Sequence, residues 1–435
     1  MRILKVIHGY PMRYNAGSEV YSQTICHEYV RQGHEVQVFS RYENPFEPEF
    51  SQREEVDSKE PKIKLNLINI TRSKDRYSHR EVDIAFGNIL DKYKPHVVHI
   101  GHLNHLSTSL VFEAKKKNVP VLFTLHDYWL ICPRGQFMQF NIGELESWQD
   151  CDGQEDMKCT MKCYNRYFSG LESVDVDKNY WSSWINQRMQ HVQEVMDAVD
   201  LFVAPANYLR DRFIRAAHIP NEKIRYLDYG FELSRFGSEE NTLKDRPFTF
   251  GYIGRHVPAK GIHLLIEAFG KLKDEERLII WGRTQGDVTP FLKELVLALP
   301  DERQEKIEFR QEYDNSQIQD EVFKHIDAIV VPSIWVENSP LVIHEAQAAR
   351  KPVITSNAGG MGEYVHHMKN GLLFRHRDCE DLSIQMSYLS GNRKLADKLG
   401  RQGYLFSEDG QIPDVRKHVS NLIFEMIKLN PSLEN

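Results

Sequence analysis

Nothing in the 435 residues is long and apolar enough to be buried in a bilayer, since no run approaches the ~18 to 20 residues of a membrane-spanning helix. The N-terminus, MRILKVIHGYPMRYN, is too short in its apolar stretch for a secretory leader. Acids outnumber bases 62 to 55 and no half of the chain is basic, so the electrostatic footprint of a nucleic-acid binder is missing. Six cysteines are too few for a disulfide framework in a chain of this length. Internal repeats and low-complexity tracts are lacking as well. These absences lead to the expectation of a soluble, cytoplasmic protein with no nucleic-acid partner.

The chain exceeds the ~250 to 300 residues at which a single core stops growing, which predicts two domains. The β-branched runs RILKVIHGY, HEVQVFS, HVVHIGHL, VPVLFTLHD and DLFVAPA alternate with amphipathic stretches, and the rhythm restarts with FTFGYIG, RLIIWG, IEFRQ, IDAIVVPS and KPVITS. Continuous apolar strands separated by helices predict α/β architecture: two Rossmann-like domains, each a parallel sheet covered on both faces. The expected boundaries are 1–225 and 226–411. An insertion at about 132–190 is polar and aromatic and carries four cysteines, and a final stretch over 412–435 has helical periodicity.

Ligands of open parallel sheets lie beyond the carboxyl ends of the strands. There, after FTFGYIG, the loop RHVPAKG places Arg255 and Lys260 five positions apart. A guanidinium fork and a compact ammonium together suit a diphosphate. The alternative is a pair of solvated loop cations, and the strand-end position beside Gly254 and Gly261 argues against it. After IDAIVVPS comes WVENSPLVIHEA, with Glu337 in a loop and Glu345 on an expected helix started by the Ser339 hydroxyl as cap and by Pro340. A carboxylate on an apolar helix face needs a partner, and a vicinal diol such as a ribose offers two donors to two oxygens. The competing reading is that both acids only complement the helix dipole.

GRHVPAKG, VVPSIWVENSPLVIHEA, KPVITSNAGGMGEYV and NGLLF, in that order, resemble glycosyltransferase family 4, the retaining nucleotide-sugar transferases of GT-B fold. In the first half AGSEVYSQTICHEYVRQGHEVQVFS, FTLHDYW and LFVAPANYLRDRF extend the likeness over most of residues 1 to 410. There are two departures. Tyr229, Gly230, Phe231 and Glu232 stand where many members have Asn-Gly-Val-Asp, and Asn338 and Ser339 follow Glu337 where Phe-Gly is common.

The resemblance implies parallel sheets facing an interdomain cleft and a C-terminal helix, 412–435, that completes the first domain. It implies that Arg255 and Lys260 neutralise the donor diphosphate and that Glu345 binds the ribose. Glu337 contacts the transferred sugar with backbone groups around Asn338, Ser339, Pro340 and Leu341. Gly17 lets a loop approach the phosphates, and His126 faces the sugar from the acceptor side. Gly359, Gly360 and Glu363 shape the pocket. The implied reaction is hexosyl transfer from a UDP- or GDP-linked sugar to a glycan, lipid-linked glycan or small molecule, in polysaccharide biosynthesis at the inner face of the membrane. Lys260 and Arg255 stabilise the leaving diphosphate, so no cofactor is required for catalysis. A sugar-nucleotide epimerase of the same fold and a non-catalytic nucleotide-sugar-binding protein remain the alternatives.

Three features lie outside that pattern. Asp175 to Asp177 spell Asp-Val-Asp but follow no apolar strand, so they read as a solvated turn and not as a metal motif. Tyr180, Trp181 and Trp184 read either as core or as a peripheral membrane contact. Cys132, Cys151, Cys159 and Cys163 suit a structural zinc or iron-sulfur site, with independent thiols as the equal alternative.

Overall fold

The computed structural model describes residues 1–71, 77–139, 148–170, 174–236, 246–273, 275–284, 286–403 and 414–431. Parts of the expected insertion (140–147 and 171–173) and of the expected C-terminal helix (412–413 and 432–435) lie outside the described residues.

Apolar side chains on both faces of a strand require cover on both sides, and Arg2–Ile7 (β1) shows this directly, with Ile3, Leu4, Val6 and Ile7 all fully buried. The other strands of the first unit are Glu35–Tyr42 (β2), Gln52–Val56 (β3), Lys64–Asn69 (β4), Val97–Ile100 (β5), Val121–Thr124 (β6), Met138–Gln139 (β7), Leu201–Ala204 (β9) and Ile224–Tyr226 (β10); Gln149–Asp150 (β8) falls in the second. Helices Gly17–Arg31 (α1), Arg80–Tyr93 (α2), Leu110–Lys116 (α3), Asp156–Cys159 (α4), Val174–Ala198 (α5) and Asn207–Ala217 (α6) accompany them. The main sheet has the order β10-β9-β6-β5-β1-β2-β4-β3. It is parallel except at its edge, where β3 runs antiparallel to β4.

The second unit contains Thr249–Ile253 (β11), Arg277–Trp281 (β12), Ile307–Arg310 (β13), Ala328–Val331 (β14), Val353–Ser356 (β15) and Gly371–Phe374 (β16). They form a sheet of order β13-β12-β11-β14-β15-β16, parallel throughout. Its helices are Ile262–Gly270 (α7), Val288–Leu297 (α8), Asp301–Gln304 (α9), Ile318–Glu321 (α10), Leu341–Ala348 (α11), Met361–Tyr364 (α12), Cys379–Ser390 (α13) and Arg393–Arg401 (α14). Trp281, Ile329, Val331, Ile343, Val353 and Tyr364 are among the residues of its core.

The division between units differs from the expected one. The first comprises 1–140, 151–230 and 415–435, and the second comprises 141–150 and 231–414. The boundary falls at 230 and not at 225 because β10 pairs in register with β9, Ile224 opposite Phe202, and so belongs to the first sheet. The expected insertion is divided as well: Asp150 lies 3.4 Å from His376 and 3.5 Å from Arg377 within the second unit. Asp175 and Asp177 are not a solvated turn. They occupy the first turn of α5, where acids oppose the helix dipole, and Asp177 accepts the Ser169 amide at 2.7 Å.

The last helix, Val415–Leu429 (α15), belongs to the first unit and packs on α1. His418 Nε2 meets the Tyr21 hydroxyl at 2.6 Å, and the Gln32 side chain donates to the Arg416 carbonyl at 3.1 Å. Val419, Leu422 and Met426 are fully buried. Removing residues 415–435 is therefore expected to destabilise the first unit by several kcal/mol, since each fully buried side chain of this size contributes about 1.5 to 3 kcal/mol. A lowered first unfolding transition in calorimetry checks this, and an unchanged one contradicts it.

Lys5 interrupts the apolar run of β1. It is fully buried, its Nζ has no hydrogen-bond partner among the described residues, and the Tyr21 ring centroid is 6.0 Å away. Burial pushes its pKa from 10.5 down to about 7, with Cys26 opposing weakly. Between those values the unfolded chain binds a proton that the folded chain does not, so stability rises with pH across that window and the cost is greatest below it. Lys5→Met should stabilise the protein by a few kcal/mol at pH 6 and by little at pH 10. Denaturant titrations at the two pH values measure the difference.

Candidate active site

The strand order of the second unit makes β11 and β14 neighbours, so the loops leaving their carboxyl ends adjoin at a topological switch point. Main-chain bonds tie the two loops together: the amides of Ile334 and Trp335 donate to the Ala259 carbonyl at 3.0 and 3.3 Å. Pro258–Lys260 forms a single 3-10 turn, closed by Gly261 at φ +67°. Only glycine fits there, because a Cβ would stand 2.0 Å from the Pro332 carbonyl oxygen.

The result is a joined cation and carboxylate. Lys260 Nζ donates to Oε1 and Oε2 of Glu337, each at 2.9 Å. Glu337 is 5% exposed and Lys260 31%. The Ser333 hydroxyl donates to the same carboxylate, and the ammonium lies 5.6 Å from the centre of the Trp335 ring. Behind Glu337, the Gly360 amide donates to its carbonyl at 2.8 Å, and Gly359, at φ +55°, leaves room where a Cβ would stand 2.6 Å from that carbonyl. Burial and the Glu337 charge hold the nearby Tyr252 phenol far above its ordinary pKa.

Glu345 sits half-buried on α11. Burial pushes its carboxyl up to about 7, opposed by Arg235, whose guanidinium is already held by Glu232. Its charge reaches Tyr313, whose phenol is raised by burial and by Glu345. The helix start differs from the expected one. Helix α11 begins at Leu341, with Pro340 extended before it, and the Ser339 hydroxyl pairs with His344 Nε2 at 3.1 Å instead of capping. The Asn338 side chain takes the Ser339 amide at 2.7 Å. That amide is therefore engaged within the loop. Arg255 is exposed on the same loop as Lys260.

The first unit carries Gly17, the first and exposed residue of α1, and His126 after β6. His126 Nδ1 meets the Tyr229 hydroxyl at 2.6 Å, with the two rings stacked 5.7 Å apart. Around it, His102 Nε2 lies 3.2 Å from Asp127 and His8 Nε2 lies 3.2 Å from Glu19. The structure thus joins Lys260 with Glu337, sets Glu345 by Arg235 and Tyr313, and surrounds His126 with histidines and tyrosines. Ser333, Trp335 and Arg235 escaped the sequence reading, and Tyr229 entered it only as a departure from the family pattern, with no partner named. Ser333 stands four residues before Glu337 in a strand-end loop, a spacing that could have suggested it, whereas nothing in the sequence joins Arg235 to Glu345.

The cysteine segment was expected to suit a structural metal, with independent thiols as the equal alternative. Among the described residues no group of three or more His, Cys, Asp and Glu side chains is placed to hold a metal ion. Cys159 feels the charges of Cys132, Cys163 and Cys151, so the thiols are near one another, but burial first and those neighbours next push its pKa up to about 12. The thiols act as neutral donors: Cys151 Sγ bonds the Gly153 carbonyl at 3.1 Å and Cys163 Sγ that of Met138 at 3.7 Å. Trp181 and Trp184 pack with Tyr164 and Tyr167 at ring separations of 5.1 to 5.8 Å, leaving Tyr180 exposed.

Two sequence families match the chain: Glycosyltransferase Family 4 over residues 16–235 and Glycosyl transferases group 1 over 235–406. An uncharacterized 42.6 kDa protein in the cps region of Klebsiella pneumoniae is 23% identical over 84% of this chain and 87% of its own length. A GDP-mannose-dependent alpha-(1-6)-phosphatidylinositol monomannoside mannosyltransferase of Mycobacterium tuberculosis is 27% identical over 49% of this chain, which spans 58% of that enzyme. Among solved structures, sucrose-phosphate synthase from Thermosynechococcus elongatus matches with a TM-score of 0.70, 16% identity and 99% of both chains covered. Anabaena HepE in complex with UDP and glucose matches with a TM-score of 0.68 and 14% identity over 98% of this chain and all of the other. At these identities the structural likeness is one of fold.

Proposed function

Because the chain belongs to glycosyltransferase family 4 and is a GT-B transferase of nucleotide sugars, we propose that it moves a hexosyl group from a UDP- or GDP-linked donor to a sugar hydroxyl, with retention at the anomeric carbon. The observation that carries this reading is the Lys260–Glu337 pair, a cation and a carboxylate fixed together beyond adjacent strand ends. Each satisfies the other only until a ligand offers better partners. The donor diphosphate would take Lys260, joined by Arg255, and the hydroxyls of the attached sugar would take Glu337. Glu345 would accept the two ribose hydroxyls.

Cleavage of the sugar-phosphate bond builds negative charge on the departing diphosphate and positive charge on the sugar. Lys260 and Arg255 stabilise the first without reorganising, and Glu337 lies where it can stabilise the second. For retention, the acceptor hydroxyl attacks from the face that the diphosphate leaves, and its proton passes to the departing phosphate oxygen. The cations perform the neutralisation that a divalent metal would otherwise supply.

The GDP-mannose on which one relative depends, and the UDP and glucose bound to one structural neighbour, make GDP-mannose and UDP-glucose the first candidates. A glycan or lipid-linked glycan is the acceptor on this reading, met from the cytoplasmic side. No helix among the described residues is long and apolar enough to cross a membrane, so such a contact would be peripheral. The test is NMR of the product made from UDP-glucose or GDP-mannose in the presence of EDTA. Axial product from axial donor, at undiminished rate, is expected. An inverted product overturns the mechanism, loss of activity in EDTA overturns metal independence, and an epimerised donor formed without acceptor overturns the reaction class.

A further inference from the structure

We propose that Tyr229 fixes the tautomer and the aim of His126, which makes it a positioning residue for the imidazole that the family resemblance puts on the acceptor side. The inference rests on the proposed transferase reaction for its consequence in turnover, but its physical content stands on geometry inside the first unit.

Tyr229 occupies a segment reading Tyr-Gly-Phe-Glu. Here the phenol oxygen lies 2.6 Å from His126 Nδ1, and the two rings are stacked with planes 22° apart. The Tyr21 ring packs against both, 5.2 Å from His126 and 4.7 Å from Tyr229. Tyr21 is held by His418 of α15, and the Tyr229 amide is held by the Asp228 carboxylate at 2.7 Å. Tyr229 is 4% exposed, so neither ring can turn without displacing the other.

Both partners of this hydrogen bond are neutral. Burial holds the Tyr229 phenol well above its ordinary pKa. Burial, joined by the charges of Lys5, His102 and His8, holds the His126 imidazole well below its own. On this proposal the phenol O–H donates to Nδ1 and the ring's own proton is on Nε2, since the opposite tautomer would use the phenol oxygen as acceptor and leave the buried O–H without that partner. A neutral imidazole with Nε2–H can donate to a sugar oxygen. It adds no positive charge beside a sugar that itself becomes positive in the transition state, as an imidazolium would. Loss of the hydroxyl releases both constraints at once: the tautomer is no longer selected, and one buried nitrogen loses its donor.

The experiment uses the full chain labelled with 15N at histidine, with two-bond nitrogen–proton correlations identifying the tautomer and His126→Gln assigning the signal. The wild type is expected to show a single His126 tautomer protonated on Nε2. Tyr229→Phe, which removes one oxygen and keeps the ring, should give a mixture of tautomers and lower release of UDP from UDP-glucose, or of GDP from GDP-mannose, by about 10 to 100-fold. Affinity for UDP or GDP should stay within about twofold. Tyr21→Phe, which cuts the His418 link and leaves the Tyr229 hydroxyl, should retain the wild-type tautomer. The proposal is overturned by an Nδ1-protonated wild type, by an unchanged tautomer in Tyr229→Phe, or by an equal disturbance in Tyr21→Phe. A chain that binds neither UDP nor GDP defeats the functional reading instead, and the tautomer result still decides this one.

Discussion

Replacing Lys260 by alanine is expected to weaken nucleoside diphosphate binding by about 10 to 100-fold, to lower turnover further, and to destabilise the second unit. The first effect follows from the ~1.5 to 3 kcal/mol typical of a hydrogen bond to a charged group, the second from the charge that the diphosphate gains as the bond breaks. The third comes from the structure. Lys260 contacts both oxygens of a carboxylate that is 5% exposed, and its removal leaves Glu337, among the described residues, with the Ser333 hydroxyl. Breaking a buried pair from one side costs about 3 to 5 kcal/mol, and the partial exposure of Lys260 places the cost here at the lower end. The double variant Lys260→Ala/Glu337→Gln should recover most of the stability and none of the affinity. Thermal unfolding and titration calorimetry on the two variants separate these effects, and a Lys260→Ala protein as stable as the wild type would show that the pair is not formed in solution.

Glu345 should make nucleotide affinity depend on pH. Burial raises its carboxyl from 4.5 to about 7. Between those values the folded chain binds a proton that the unfolded chain does not, so stability falls as pH rises from 4.5 to 7 and stays at the lower level above. Ribose hydroxyls favour the ionised form, so binding pulls the proton off. Affinity for the cognate nucleoside diphosphate should rise about tenfold from pH 6 to pH 8, with proton release visible as a dependence of binding heat on buffer ionisation. Glu345→Gln should abolish that dependence. It should also stabilise the ligand-free protein at pH 8 by on the order of 2 kcal/mol while costing about 10 to 100-fold in affinity. A pH-independent wild-type affinity would remove Glu345 from the ribose site.

The sequence shows the donor half of this account plainly, because buried parallel strands appear as short apolar runs and the residues just after them are where a ligand lies. That Lys260 and Glu337 follow strand ends was legible on that ground, though not that they pair with each other. What escaped detection was set by tertiary partners. Strand β3, QREEV, is a polar edge strand with alternating exposure, and β4 contains Asn66 and Asn69, whose side chains satisfy buried carbonyls and hide the apolar pattern. Ser339 has the chemistry of a cap but finds His344 five residues on. The cysteine spacing allowed a ligand set, yet carbonyls of Gly153 and Met138 lie close enough to take two of the thiols. Tyr229 looked like a departure from a family pattern, and only the fold shows which histidine it meets.

The central claim is that the donor nucleotide lies on the loops after β11 and β14 and on α11. A crystal structure of the chain with its tighter-binding nucleoside diphosphate tests it most directly. The account predicts diphosphate oxygens within hydrogen-bonding distance of Lys260 and Arg255, both ribose hydroxyls on Glu345, and Glu337 released from Lys260. A nucleotide bound elsewhere, with the Lys260–Glu337 pair undisturbed, would contradict it.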